Sequence, residues 1–460
     1  MKTDVLILGT GSAGEMLASL LARSGKSVLI VEEHLIGGEC PFYSCMPSKA
    51  MLRSASARFD ATQTVKLGAT SAPLELDKHE DAYASAVSRR EKIVEHHNDS
   101  ANEENLIEMG VRVVRGTGVI SQPGSVSVGE EIFEYDQLVI STGSAPFVPP
   151  IPGLHDLDVW TTDKALTSTE LPNTLIVIGG GPAGCELAQV YSRFGTNVTI
   201  IDAGTRLLAQ EEEVVSIELG NMFETEGIEL VLGAAISSVE ESSTGGATVV
   251  LEDGRKFSAD RLLVATGRKP RVEGIGLELL GIEIDDNGAI PTDQHCRVQG
   301  LENVWAGGDV GGIAPLTHTA NYQARIIAAG ILGTPRSANY NSIPRSVYTD
   351  PPVASVGHSY ADAITAGIDA VTTQVDLRNT ARHIVDGGSG GLLTLTADRS
   401  TKTLIGAAAI GPHCDEWITE AVLAIRAQIP LEILIDVVHS FPTYAEGYEE
   451  PYRALLSAVQ

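Results

Sequence analysis

Apolar and polar positions repeat one order of elements twice along the chain. Val5-Leu6-Ile7-Leu8 is a short apolar run, broken by Gly9-Thr10-Gly11-Ser12-Ala13-Gly14. An alanine- and leucine-rich stretch follows, and Ser27-Val28-Leu29-Ile30-Val31 closes on Glu32. This pattern predicts strand, glycine turn, helix, strand and acid. It recurs from Leu175-Ile176-Val177-Ile178 through Gly179-Gly180-Gly181-Pro182-Ala183-Gly184 to Asn197-Val198-Thr199-Ile200-Ile201-Asp202. Asp202 stands as far beyond Gly179 as Glu32 stands beyond Gly9. Two more apolar strands end alike, Leu138-Val139-Ile140-Ser141-Thr142-Gly143 and Leu262-Leu263-Val264-Ala265-Thr266-Gly267, each closing one of these units. Residues 55–108 read as a charged, mostly helical excursion from the first unit. Beyond about Ile343 the pattern becomes strand-rich alternation, as in Gly391-Leu392-Leu393-Thr394-Leu395, followed by a helical stretch from Cys414 to Ala427.

The glycine turns carry a physical expectation. The first glycine makes a tight bend, the second lets the backbone approach a pyrophosphate, and the third lets helix and strand pack closely. The helix N-terminus adds a partial positive charge. The acid ending the second strand accepts hydrogen bonds from ribose hydroxyls. One such turn is weak evidence, but two, each with strand, helix and acid in place, predict two dinucleotide sites. Pro146 to Pro152 reads as a linker between them, which sets a boundary near residue 150.

A chain of 460 residues has room for about two to four domains. Its 43% hydrophobic and 20% charged content is that of ordinary globular chains, which excludes collagen, coiled coil and long-range disorder. Aromatic residues are only 5%, too few for a base-stacking surface. With 32 basic against 60 acidic residues, the net charge of -28 repels phosphate backbones and anionic lipid, so neither nucleic acid nor membrane is an expected partner. No apolar run approaches the ~20 residues of a membrane span. Val5 to Leu8 is too short for a signal-peptide core, so an intracellular, cytoplasmic location is expected. Five cysteines, an odd and sparse set, do not make a secreted disulfide framework.

Cys40-Pro41-Phe42-Tyr43-Ser44-Cys45-Met46-Pro47-Ser48-Lys49 is the most chemical segment. Residues five apart in a regular helix have Cα atoms roughly 8–9 Å apart, beyond the ~7 Å a disulfide spans. A bridge therefore needs distorted backbone, and Pro41 discourages a regular helix through it. Pro47 suits the first turn of a helix through Lys49-Ala50-Met51-Leu52, which puts Cys45 near a helix N-terminus, where thiolate is favoured. The spacing does not match zinc and no second cysteine or histidine pair completes a tetrahedral site, so no metal is expected. By themselves the two residues read as a redox pair or as two buried thiols, and their place directly after a nucleotide unit favours the redox pair. Cys185, Cys296 and Cys414 read as packing thiols.

Together these motifs resemble the pyridine nucleotide-disulfide oxidoreductases, which include dihydrolipoyl dehydrogenase, glutathione reductase and mercuric reductase. The resemblance covers essentially the whole chain. It includes both glycine turns, Gly37-Gly38-Glu39-Cys40 through Lys49, both strands ending in Thr-Gly, and Ala306-Gly307-Gly308-Asp309-Val310. It extends to Tyr348-Thr349-Asp350-Pro351-Pro352-Val353-Ala354-Ser355-Val356-Gly357 at the entry to the last domain.

The resemblance implies an α/β chain with two Rossmann-like dinucleotide-binding domains and a C-terminal α+β dimerisation domain, in a homodimer. The FAD domain would be 1–150 completed by 271–342, the NAD(P)H domain 151–270, and the dimerisation domain 343–460. FAD would be held by Gly9, Gly11, Ser12, Ala13, Gly14, Glu32, Glu33, Gly38, Lys49, Thr142, Gly143 and Asp309, the last on the ribityl chain. The nicotinamide cofactor would be held by Gly179, Gly181, Gly184, Asp202 and Gly267. Asp202 suits a free ribose hydroxyl, so NADH is favoured over NADPH, and Arg206 reads as a surface residue. Cys45 would lie against the flavin as the charge-transfer thiol and Cys40 would face substrate as the interchange thiol. Lys49 and Glu186 match an ion pair beside the flavin ring. Cys40, Cys45, Lys49, Glu186 and Glu446 are the catalytic residues so implied.

The pattern breaks near the C-terminus. Disulfide-reducing members present a catalytic histidine in an HPxxxE sequence, and here the stretch is His439-Ser440-Phe441-Pro442-Thr443-Tyr444-Ala445-Glu446, with Phe441 in the place of that histidine. Glu446 keeps its spacing but has no imidazole to orient. A positioned base is worth ~10²–10⁴-fold in proton transfer. His439 reads as structural, and Tyr444 or Tyr448, with an ordinary phenol pKa near ~10, is a poor base at neutral pH. The end Leu456-Ser457-Ala458-Val459-Gln460 lacks the cysteine pair of mercuric reductase, which disfavours mercury. Soluble transhydrogenases lack the cysteine pair kept here. The expected function is dihydrolipoyl dehydrogenase-like transfer from NADH through FAD to Cys40 and Cys45 and on to a disulfide. The alternative is an NAD(P)H:quinone or metal-ion reductase.

Overall fold

The strand Lys2–Leu8 is buried on both faces, with Val5, Leu6, Ile7 and Leu8 at most 2% exposed, as a continuous apolar run in a parallel sheet requires. It pairs in parallel with Val28–Glu32 on one side and Glu131–Ile140 on the other, in the register Leu6 to Leu29 and Leu6 to Leu138. Arg112–Arg115 continues the sheet beyond Val28–Glu32. Val304–Ala306 pairs with Glu131–Ile140, so a distant segment completes the sheet. The helix Ser12–Arg23 springs from the glycine turn and buries Leu17, Ala18 and Leu21. The computed structural model describes residues 2–242, 245–388 and 390–460.

Chain contacts divide the molecule into two compact units, 1–47 with 88–147 and 268–339, and 48–87 with 148–267 and 340–460. The first holds the sheet just described. The second holds a parallel sheet in the order Glu229–Leu232, Asn197–Asp202, Thr174–Ile178, Arg261–Val264. Beside it in sequence runs the antiparallel meander Ile236–Glu241, Ala247–Leu251, Lys256–Ala259. Residues 48–87 group with the second unit, where the expectation placed them in a first domain of 1–150 completed by 271–342. Met51, Leu52, Ala55, Tyr83, Ala86 and Val87 are buried in one core with Leu175, Cys185 and Tyr191, which explains the grouping.

The C-terminal part of the second unit is a five-stranded antiparallel sheet, Arg345–Val347, Val353–Gly357, Thr403–Ile410, Leu392–Asp398, Ala370–Asp376. Alternation along Leu392–Asp398 suggests one wet face, yet six of its residues are buried. Leu392 joins one core and Leu393 and Leu395 another. The interleaved Thr394 and Thr396 are satisfied by the Thr372 hydroxyl at 3.2 and 3.4 Å, as buried hydroxyls require. Helix Glu449–Val459 packs Tyr452 and Leu455 into the second of these cores. Among the described residues no helix is long and apolar enough to cross a membrane.

Candidate active site

The two glycine turns are built alike atom by atom. Gly9 has φ +96° and Gly179 φ +111°, and a Cβ on them would lie 2.3 and 2.5 Å from the carbonyl oxygens of Ser141 and Ala265. Only glycine tolerates both constraints. A Cβ on Gly14 or Gly184 would fall 2.0 Å from the carbonyl oxygen of Gly9 or Gly179, so helix and turn touch backbone to backbone. At Gly11 and Gly181 a Cβ would meet nothing within 4 Å. The middle glycine therefore opens onto space at a helix start, the arrangement a pyrophosphate needs. Each cradle fits the pyrophosphate of a dinucleotide.

Each acid clamps its own turn. Glu32 Oε2 accepts the Thr10 N–H at 2.8 Å and the Thr10 hydroxyl at 2.5 Å, while its other oxygen accepts from the His34 N–H at 2.8 Å. Asp202 accepts from the N–H groups of Gly180 at 2.5 Å and Gly204 at 2.6 Å. Glu33 is exposed at the strand end. The Arg206 guanidinium is tied to the carbonyls of Glu211 and Ala209, each at 2.7 Å, and to Ser216 at 2.8 Å. Gly143 and Gly267 have φ +71° and +117° and open onto space as well. The Thr142 hydroxyl is tied back to the Arg271 carbonyl at 2.6 Å. Asp309 accepts the Ser144 hydroxyl at 2.6 Å, and Arg268 donates to that same hydroxyl at 2.7 Å.

Cys40 lies in the short helix Glu39–Phe42, and Cys45 begins the helix Cys45–Thr62 with Pro47 in its first turn. Tyr43, at φ -126° and ψ -4°, breaks the helix between them, which is the distortion that a bridge across this spacing requires. Both sulfurs meet one hydroxyl. Thr317 Oγ1 donates to Cys40 Sγ at 3.4 Å and lies 3.4 Å from Cys45 Sγ. Gly38, at φ +71°, lays its backbone on Gly11, where a Cβ would come within 2.8 Å of the Gly11 Cα. The cysteine segment is thus anchored on the first glycine turn. Along the same helix as Cys45, Lys49 Nζ reaches Glu186 at 2.9 and 3.2 Å. Glu186 is buried, also accepts the Tyr348 N–H at 2.9 Å, and Lys49 stands 4.3 Å over the Tyr348 ring.

The C-terminal segment holds no imidazole at its expected place. Phe441 is 75% exposed, and Glu446 Oε2 is buried with no hydrogen-bond partner among the described residues. His439 is sequestered between Glu420 at 3.0 Å and Glu449 at 3.5 Å. The Tyr444 hydroxyl donates to Asp386 at 3.1 Å, and burial together with that carboxylate pushes its pKa up. Burial also pushes the Tyr448 phenol far up. Neither phenol is a base at neutral pH. Cys185 and Cys414 are fully buried, with thiols pushed up by desolvation, and Cys296 is buried in the core.

Two features escaped the sequence. Thr317 is far from the cysteines in the chain, and no local pattern marks it. Glu39, directly before Cys40, is gripped by Arg268 at 2.5 Å and Arg271 at 2.7 Å. The only signal was an arginine immediately after the second Thr-Gly strand end.

Comparison with known proteins adds an independent line. The family model described as pyridine nucleotide-disulphide oxidoreductase matches residues 3–324, and that of the corresponding dimerisation domain matches 343–452. The chain is 30% identical over 456 residues to a dihydrolipoyl dehydrogenase of Halobacterium salinarum, covering 97% of this chain and 95% of that protein. It is 32% identical over 466 residues to a mercuric reductase of Streptomyces lividans, covering 99% and 97%. Among solved structures, the Cu(II) complex of the HOCl-induced flavoprotein disulfide reductase RclA from Escherichia coli is similar with a TM-score of 0.87, at 26% identity and 99% coverage of both chains.

Proposed function

The chain belongs to the pyridine nucleotide-disulphide oxidoreductases, and from that premise we propose that it takes electrons from NADH through FAD to Cys40 and Cys45 and passes them to an acceptor at Cys40. The family uses FAD and a pyridine nucleotide, and FAD when bound supplies the two-electron relay between nucleotide and cysteines. Gly9, Gly11, Ser12, Ala13 and Gly14 would hold its pyrophosphate, Glu32 and Glu33 its ribose end, and Gly38, Lys49, Thr142, Gly143 and Asp309 its remaining length. Gly179, Gly181, Gly184 and Gly267 would hold NADH, with Asp202 on the ribose. An acid at that strand end repels a ribose phosphate, while the Arg206 guanidinium is engaged by carbonyls of its own loop. The chain would work as a homodimer through its dimerisation domain.

The observation that carries this reading is the Thr317 hydroxyl at 3.4 Å from both sulfurs. A hydroxyl there stabilises a thiolate on either cysteine. Lys49, four residues after Cys45 in the same helix, is held by Glu186 at 2.9 Å. A disulfide of the lipoamide type is the first acceptor class, by the family relationship. Steady-state turnover of lipoamide with NADH, lost in Cys40→Ser, tests it, and undiminished turnover in that variant contradicts it.

A second reading, a metal-ion or quinone reductase, is favoured by Phe441 and by a Glu446 oxygen that has no hydrogen-bond partner among the described residues. Disulfide reduction must deliver protons to departing sulfurs, and here no imidazole stands where the family places one. Comparing Cu(II), quinone and lipoamide as acceptors for the same NADH-reduced enzyme separates the readings.

A further inference from the structure

Glu95, His96 and His97 are successive residues with φ of +50°, +52° and +60°, and none is glycine. Left-handed backbone is disfavoured for each of them, and strain of this kind persists only where surrounding contacts hold it. The turn is closed by the His97 N–H donating to the Val94 carbonyl at 2.9 Å and the Asn98 N–H to the Glu95 carbonyl at 3.0 Å. Glu95 and His96 are exposed, so burial of their side chains does not hold it. His97 turns inward, with 24% of its side chain exposed. Its Nε2 is buried with no hydrogen-bond partner among the described residues, and its Nδ1 stands 3.8 Å from the Glu91 carboxylate, too far for a hydrogen bond. Hydrogen bonding of the ring therefore does not account for its place.

What the ring does meet is the cysteine segment. Its centroid lies 5.0 Å from that of Tyr43 and 6.4 Å from that of Phe42, both between Cys40 and Cys45. The residues that follow the turn hold the same segment at its entry. Asp99 accepts the Ile36 N–H at 2.7 Å, and the Asn102 amide donates to the Ile36 carbonyl at 2.9 Å. Asp99 is fixed in turn by Arg115 at 2.7 Å. One short stretch thus grips the cysteine segment ahead of Cys40 and again between the two cysteines.

We propose that His97 is a positioning residue for the redox pair: its ring, set on Tyr43 by the left-handed turn, holds the helix break that lets Cys40 and Cys45 close a bridge. The proposal rests on the reading above that these two cysteines form a working redox pair. Tyr43 carries that break, at φ -126° and ψ -4°, and is itself only half-buried, so core packing alone does not fix it. A segment that relaxed toward a regular helix would carry the two residues beyond bridging distance. The disulfide needs the break and the dithiol does not, so the stack favours the disulfide. Thr317 acts on the sulfurs and the grip on Glu39 acts just before Cys40, whereas the His97 ring acts at the middle of the segment. In a right-handed turn the His97 side chain would leave the backbone in another direction, so the strained turn and the stack go together.

The test equilibrates the FAD-loaded enzyme anaerobically with mixtures of dithiothreitol and its oxidised form and counts alkylated Cys40 and Cys45 by mass spectrometry. The Cys40–Cys45 bond breaks as the S–S bond of oxidised dithiothreitol forms, and both dithiothreitol thiol protons pass to the cysteines. His97→Asn removes the ring and keeps a residue that accepts left-handed backbone. Its pair should be half-reduced at a ratio of dithiothreitol to oxidised dithiothreitol about three- to tenfold lower, the worth of an aromatic pair, or about 15–30 mV toward a less negative potential. His97→Phe, which keeps a ring on Tyr43, should stay close to wild type. In a Tyr43→Ala background His97→Asn should add nothing, because the two residues act through one contact. An unmoved ratio in His97→Asn overturns the proposal, as does an equal shift in His97→Phe or an undiminished effect in the Tyr43→Ala background. If NADH fails to reduce the wild-type pair, the underlying reading falls, while the dithiothreitol equilibrium, which needs no NADH, still decides the role of His97.

Discussion

Glu446 keeps a buried carboxylate oxygen without a hydrogen-bond partner among the described residues, while Phe441, on the same short segment, is 75% exposed. A buried, unsatisfied carboxylate oxygen is costly, and the group it lacks is a donor. Phe441→His is therefore expected to give Glu446 an imidazole to orient. Turnover of lipoamide, read as kcat/KM, should rise toward the ~10²–10⁴-fold that a positioned acid-base supplies. An unchanged kcat/KM would mean that Glu446 is not poised for that role.

The Thr317 hydroxyl meets both cysteines. A hydrogen bond to a charged group is worth about 1.5–3 kcal/mol, and donation to a thiolate lowers its pKa. Thr317→Val should move the alkylation midpoint of the reduced pair up by about one pH unit or more. Iodoacetamide labelling across pH measures it, and an unmoved midpoint contradicts the assignment.

Lys49→Met leaves the Glu186 carboxylate, 8% exposed, with the Tyr348 N–H as its remaining donor among the described residues. Breaking a fully buried pair costs about 3–5 kcal/mol. Because Lys49 is 37% exposed, a loss of about 1–3 kcal/mol is expected in urea unfolding. Replacing both residues by apolar ones should return part of it. A stability unchanged by Lys49→Met would show that water replaces the ammonium without cost.

Asp202→Ser should raise the ratio of kcat/KM for NADPH to that for NADH by about tenfold, because the repulsion of a ribose phosphate is removed. The ratio is the proper readout, since Asp202 also holds the N–H groups of Gly180 and Gly204 and its loss weakens both reactions. A constant ratio would mean that specificity is set elsewhere.

Glu15 is desolvated and its folded pKa lies above the ordinary 4.5. The charged form is thus the disfavoured one in the folded state, and its cost is absent below the unfolded pKa and complete above the folded one. Glu15→Gln should then stabilise the protein at pH 7 to 8 and lose that advantage as pH falls toward 4. Chemical unfolding at both pH values measures it, and an equal effect at both would exclude a desolvated carboxylate.

The parts of the site that could be read from sequence are those with local geometry. Gly9, Gly14, Gly179 and Gly184 are dictated by close backbone approach within one turn, and Glu32 and Asp202 by the strand that follows. Cys45 could be placed at a helix start because Pro47 is tolerated only in the first turn. Thr317 could not, because its partners lie far away in the chain and a threonine at a helix start is ordinary. The grip of Arg268 and Arg271 on Glu39 depends on the pairing of Ser144–Pro146 with Arg268–Pro270, a long-range register. Packing of 48–87 with the second unit depends likewise on shared burial with Leu175 and Tyr191, which no periodicity encodes. Thr394 and Thr396 imitate a wet face because their hydroxyls are satisfied internally.

The most direct test of the electron path is an anaerobic titration of the FAD-loaded enzyme with NADH, followed by absorbance and by mass-spectrometric mapping of thiols labelled with iodoacetamide. The expected result is a long-wavelength thiolate band after two electrons, with Cys40 labelled only after NADH is added. Bleaching of the flavin with no such band and no new label on Cys40 would contradict it, removing the cysteine pair from the path.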